Sequence, residues 1–207
     1  MINIGDSFND LKKLFSAFLR TEIDARHAHN TGIPTGLREL YGIRESYSLL
    51  KPSNTLFSNQ DRLLLPSEIK DGRYFDFLIE NQSCWKCETE RGEEDPPVFI
   101  HDAESIGIIG RKIIHNSLSE FLTTYALQEL TFELTFTINE HFDLETILNS
   151  SLKTEELWMN KSYTWGDTSR YSFWLIEESC LMMDCSIRYF GTNDRQKFDY
   201  ISKLLKK

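Results

Sequence analysis

Cys84-Trp85-Lys86-Cys87 has the C-x-x-C spacing of a dithiol redox pair or of half a zinc site. A redox pair of that kind sits at a helix N-terminus, whose dipole stabilises the thiolate. The residues around it read instead as strand, where positions i and i+3 point to opposite faces. Cys180 and Cys185 are the remaining thiols, and their five-residue spacing in a strand also divides them between faces. Inert thiols are the expectation, with a cysteine-based metal or redox protein as the alternative. His27 and His29 lie two apart near a helix end, which splays them, and His101 and His115 have no metal or nucleophile motif beside them. The chain contains no H-E-x-x-H, no G-x-S-x-G and no phosphate-binding glycine loop. Carboxylates are plentiful, but glycosidase chemistry depends on separations that a sequence does not give. These patterns point away from an enzyme, and no catalytic residue, cofactor or metal is expected.

Charge supplies the stronger signal. From Glu80 to Glu104 eight acidic residues (Glu80, Glu88, Glu90, Glu93, Glu94, Asp95, Asp102 and Glu104) face only Lys86 and Arg91. This stretch therefore carries −6 of the chain's net −9. Clustered like charge raises the local potential and speeds encounter with a basic surface. The bland alternative is a solvated hairpin loop from Glu88 to Asp95. Glu80, Asn81 and Gln82 could meet a partner or could hydrogen-bond a turn at a strand end. Trp85 reads as core rather than as an interface anchor. The aromatic residues Trp158, Tyr163, Trp165, Tyr171, Phe173 and Trp174 could line a groove, but core packing suits them better.

The elements that must position these residues are readable in part. Phe8, Leu11, Phe15 and Phe18 recur at helical spacing, with Asp6 or Ser7 as the cap. Ile33-Pro34-Thr35-Gly36 leads into a short helix, Leu37 to Tyr41, stopped by Gly42. Arg73 to Glu80 reads as a strand with Phe75, Phe77 and Ile79 on one face and Tyr74, Asp76 and Leu78 on the other. Cys84 to Glu88 is its hairpin partner. Pro97 to His101 and Ile106 to Ile114 are further strands, the second with Gly107 and Gly110 as bulges. Ser117-Leu-Ser-Glu120 is a capping box opening a helix through Tyr125. Phe132 to Ile138 alternates with a strand period, although a helix reaching Phe132 also fits. Asp143 to Leu148 reads as a short helix. Tyr171 to Ile176 and Leu181 to Tyr189 read as a hairpin around Glu177-Glu178-Ser179, and Phe198, Ile201, Leu204 and Leu205 mark a closing helix. Strands outnumber helices without alternating with them. That predicts an α+β fold: a single domain with a multi-stranded antiparallel or mixed sheet packed by helices.

A chain of 207 residues with 40% hydrophobic residues can build a core without disulfides or metal. Its acidity disfavours nucleic-acid binding. No apolar run approaches the roughly 18 residues of a membrane span, and Met1 to Asp6 lacks a signal-peptide start, so a cytoplasmic protein with reduced thiols is expected.

Ile79 to Val98 resembles the SUKH superfamily, which includes Smi/Knr-like cell-wall regulators and bacterial immunity proteins. Ile33-Pro34, Leu37 and the helix reaching Tyr41 are similar to its early proline-led helix. Leu65-Pro66-Ser67-Glu68-Ile69 is similar to its segment before the sheet. Phe77 to Gln82 with Trp85 is similar to its first hairpin, Asp95-Pro96-Pro97-Val98 to its loop and next strand, and Ser117 to Tyr125 to its Ser-Leu-x-x-Phe-Leu helix. The family often has glycine after Glu-Asn-Gln, where this chain has Ser83. The motifs span about residues 33 to 125. Residues 139 to 207 match none of them and are read as a candidate C-terminal extension of the same core. The resemblance implies a non-enzymatic module that binds another protein, typically a nuclease or deaminase toxin in bacteria, with a cell-wall regulatory adaptor as the alternative. The partner-binding residues expected on that reading are Glu80, Asn81, Glu88, Glu90, Glu93, Glu94 and Asp95.

Overall fold

A computed structural model of the chain describes residues 7–23, 32–53, 55–139, 144–161, 170–185 and 187–205. The cap expected at Asp6 or Ser7, and His27, His29, Tyr163 and Trp165, lie outside the described residues or side chains. The fold is α+β, with two antiparallel sheets of five strands each. The first contains β1 (Asp61–Leu63), β2 (Tyr74–Glu80), β3 (Lys86–Glu90), β4 (Val98–His101) and β5 (Lys112–His115) in sequential order. The second contains β6 (Phe136–Asn139), β7 (Thr154–Lys161), β8 (Arg170–Ile176), β9 (Cys180–Asp184) and β10 (Tyr189–Thr192), in the order β6-β10-β9-β8-β7. The helices are α1 (Ser7–Leu19), α2 (Thr35–Leu50), α3 (Leu118–Glu133), α4 (Leu144–Leu148) and α5 (Arg195–Leu205).

Helix α3 joins the two sheets. It packs against α1, α2, β5, β7, β9 and β10, and every residue from Phe121 to Thr131 is buried. Phe121 meets Phe77 of β2 edge-on at 5.6 Å, and Thr124 Oγ1 accepts a hydrogen bond from Trp158 Nε1 of β7 at 3.0 Å. One core therefore runs from Phe77 and Ile100 through Leu122 and Leu127 to Phe173 and Met183. A second cluster of Ile147, Ile176, Met182, Phe190 and Ile201 lies on the other face of the second sheet, under α4 and α5. The first sheet keeps one face half open: Tyr74, Asp76, Lys86, Glu88 and His101 are all partly exposed there. No helix among the described residues is long and apolar enough to cross a membrane.

The elements differ from the sequence reading at identifiable points. Helix α2 continues through Gly42, which is buried. An interior glycine costs a helix only about 1 kcal/mol, less than the burial of Leu37, Leu40, Ile43 and Tyr47 along it provides. Helix α3 runs to Glu133 and the strand begins only at Phe136. The Glu133 carboxylate accepts bonds from Tyr47 Oη, Lys51 Nζ and Thr55 Oγ1 at 3.0, 2.7 and 3.0 Å, which holds the last helical turn in place. In place of a strand from Ile106, a 3-10 turn at Glu104–Ile106 is closed by Gly107 (φ 82°), and Gly110 (φ 70°) turns the chain into β5. The alternation expected in β2 breaks at a bulge between Asp76 and Leu78. Phe77 and Leu78 are both buried, and Ile79 moves to the outer face opposite Lys86. The predicted hairpin around Glu177 is present, but the run after Cys180 divides into β9 and β10. Strand β10 passes under α3 at Gly191, where an added Cβ would sit 2.9 Å from Leu134 Cδ1 and 3.3 Å from the Thr131 carbonyl oxygen.

One buried carboxyl makes stability pH-dependent. Glu129 of α3 accepts hydrogen bonds from Asn59 N and Gln60 N at 2.9 and 3.1 Å. Loss of hydration pushes its pKa up from 4.5 to about 7, with nearby Asp61 adding to the rise and the two backbone bonds opposing it. A carboxyl raised in the folded state stabilises fully below its unfolded pKa, and that stability is lost as pH rises through the folded value. The stability difference between wild type and Glu129→Gln should therefore shift by up to about 3 kcal/mol in the variant's favour between pH 4 and pH 8, as read by chemical denaturation.

Candidate binding surface

The acidic stretch folds into a meander of β2, β3 and β4, which assigns its carboxylates to different tasks. Glu80 Oε2 accepts from Gln82 N at 2.8 Å and Cys84 N at 3.1 Å, which ties the β2–β3 turn. Ser83 in that turn has φ 60°, a conformation open to glycine at no steric cost. Asn81 is exposed and its Nδ2 donates to Asn59 O at 3.2 Å. Glu90 pairs with Arg73 Nε at 2.6 Å. Glu88 lies 3.1 Å from Arg111 Nη1, an ion pair rather than an aligned hydrogen bond. Asp102 pairs with Lys86 at 2.6 Å. Asp95 serves the N-terminus of α3: its Oδ2 accepts from Ser117 Oγ and its Oδ1 from Ser119 N, both at 2.7 Å. Ser117 Oγ in turn accepts from Glu120 N at 3.1 Å. Of the eight carboxylates, Glu93, Glu94 and Glu104 stay exposed without a described hydrogen bond or ion pair.

Glu93 and Glu94 stand on a loop held from both sides. Arg91 donates from its Nε to Gly72 O at 3.0 Å and from its Nη2 to Lys70 O at 3.2 Å, and its guanidinium lies 4.8 Å over the Phe75 ring. The Arg91 and Gly92 backbone N–H groups donate to Arg73 O and Gly32 O at 2.8 and 3.3 Å. On the far side the loop is fixed by Asp95 at α3.

The outer face of the first sheet holds an arrangement that no sequence motif marks. Strand register sets Asp76 opposite Glu88, and Glu88 opposite Phe99, with His101 two residues further along β4. His101 Nε2 meets Asp76 Oδ1 at 2.7 Å, and its Nδ1 meets Asp102 Oδ1 at 3.2 Å. The bond to Asp76 holds the imidazolium above its usual pKa range. Lys86, and then His101, hold the Asp102 carboxyl below its own. Arg111 lies 4.0 and 4.4 Å over the rings of Tyr74 and Phe99. Beside these groups runs a groove of about 400 Å³ bordered by Arg62, Tyr74, Ile79 and Lys86. The sequence did hold a clue: Tyr74 and Asp76 alternate outward, as do Lys86, Glu88 and Glu90.

The remaining candidates are structural. Trp85, Trp158, Tyr171 and Phe173 are buried in the main core, and Trp174 is packed on the second cluster. Cys87 is fully buried while Cys84 is only partly so, and all four thiols are free. Burial pushes the Cys87 and Cys180 thiols up, away from the reactive thiolate. Comparison of the chain with protein-family models, curated proteins and solved structures finds no match.

The division of labour among the carboxylates is measurable. Asp95→Ala should cost about 1 kcal/mol of unfolding free energy, as loss of a helix-start acceptor does. Glu93→Ala with Glu94→Ala should change it by less than about 0.5 kcal/mol. Urea denaturation distinguishes the two.

Proposed function

We propose that this chain is a non-enzymatic protein-binding module of the immunity type, which neutralises a basic, nuclease-like toxin. The observation that carries the reading is the loop bearing Glu93 and Glu94: its backbone is anchored on both sides, while these two carboxylates remain in solvent. A fixed loop loses little conformational entropy on binding. Two unpaired negative charges on it favour approach to a surface that must be basic in order to hold phosphates. Glu80, Asn81, Glu88, Glu90 and Asp95 each already hold a partner within the chain, so on this reading the contact rests first on Glu93 and Glu94. The resemblance to SUKH proteins supports the same class of function. The left-handed backbone at Ser83 also fits a family position often held by glycine.

The test is association kinetics with the purified product of a neighbouring toxin gene. Glu93→Lys with Glu94→Lys should slow association about tenfold at low salt, and the difference should shrink between roughly 0.05 and 0.5 M salt. An unchanged association rate in the double variant at low salt would exclude the acidic loop as the contact.

A further inference from the structure

The outer face of the first sheet carries a second arrangement, independent of the acidic loop. We propose that Asp76, Glu88 and His101 form a binding site for a divalent first-row transition-metal ion, of the zinc or manganese class. The three side chains come from three adjacent strands, and one donor atom from each lies within 4.8 Å of the other two. One imidazole nitrogen and two carboxylate oxygens suit zinc or manganese, whereas magnesium and calcium favour all-oxygen sets.

Two further features bear on the same point. Asp102 follows His101 directly at the end of β4. Its carboxylate meets His101 Nδ1, and Lys86 holds that carboxylate from behind. A carboxylate beside one imidazole nitrogen is the usual outer partner of a metal-bound histidine, and Asp102 occupies that place as an ion pair at 3.2 Å. Here the nitrogen left over is Nε2, which faces Asp76. The second feature is the β2 bulge directly after Asp76. Bulges re-aim side chains and are enriched beside functional sites. The ion replaces the proton between His101 Nε2 and Asp76, and that proton leaves to solvent. Arg111 remains the outer partner of Glu88, whose carboxylate has lone pairs for both. The groove beside Tyr74 and Ile79 leaves room for water to complete the coordination.

The experiment is calorimetric titration of the full chain, stripped with chelator, with zinc, manganese and magnesium chlorides separately. The expected result is one equivalent of zinc or manganese bound and magnesium bound at least about a hundredfold more weakly. His101→Asn and Glu88→Gln should each weaken binding by at least tenfold, and Asp102→Asn by about tenfold. Cys84→Ser with Cys87→Ser should leave it unchanged. Near-UV circular dichroism identifies which variants remain folded, and Glu88→Gln carries the test if His101→Asn does not fold. Absence of binding at millimolar zinc and manganese would overturn the proposal. So would binding that survives Glu88→Gln and His101→Asn but is lost with the two cysteines.

Discussion

The burial of α3 on every side is the constraint from which the rest follows. Its start is set by Ser117 and Asp95 and its end by the bonds that Tyr47, Lys51 and Thr55 make to Glu133. Between those ends it carries polar residues into the interior, and each of these needs a partner there. Thr123 and Thr131 bond back to the carbonyls of Ser119 and Leu127 within the helix. Thr124 takes the Trp158 indole from the second sheet. Glu129 takes the backbone N–H groups of Asn59 and Gln60 just before β1. Apolar contact alone would let the two sheets slide along such a helix. These directional bonds fix where each one docks.

The partly exposed outer face follows from that arrangement. The second sheet is covered on both faces, by α3 and by α4 with α5. The first sheet spends one face on α3 and leaves the other to Tyr74, Asp76, Lys86, Glu88 and His101. Charged groups packed side by side on a sheet must be paired, because like charges on facing strands repel. Arg73, Arg111 and Lys86 provide the pairing. The result is a charge-compensated plate, with the net negative charge displaced to its edge at Glu93 and Glu94.

Much of this was legible in the residues. The α1 stripe, the Ser117 helix cap, the β2–β3 hairpin and the turn at Glu177 are local patterns, and these survive packing; of the capping box only the Ser117 half forms, since the Glu120 carboxylate accepts from Asn160 of β7 instead. The extension of α3 past Tyr125 was harder to read, because Thr131 to Ile138 alternates like a strand while the bonds to Glu133 come from residues 78 to 86 positions away. Strand β7 leaves little trace in the sequence, since Thr154-Glu-Glu-Leu-Trp has no clean alternation and a bulge between Glu156 and Trp158 resets it. The acidic stretch was visible as charge but not as pairing: Arg73 reaches Glu90 across the hairpin and Arg111 reaches Glu88 from the loop before β5. The Asp76, Glu88 and His101 cluster has no sequence motif, because it exists only through the register of three strands and a bulge.

If α3 is the shared core, weakening its middle must loosen both sheets together. Leu127 is fully buried there. Native-state hydrogen exchange on Leu127→Ala tests this most directly. The account predicts that the slowest amides of β3 and of β9 lose the same protection, about 2 to 4 kcal/mol. Loss confined to one sheet, with the other keeping wild-type protection, would contradict it.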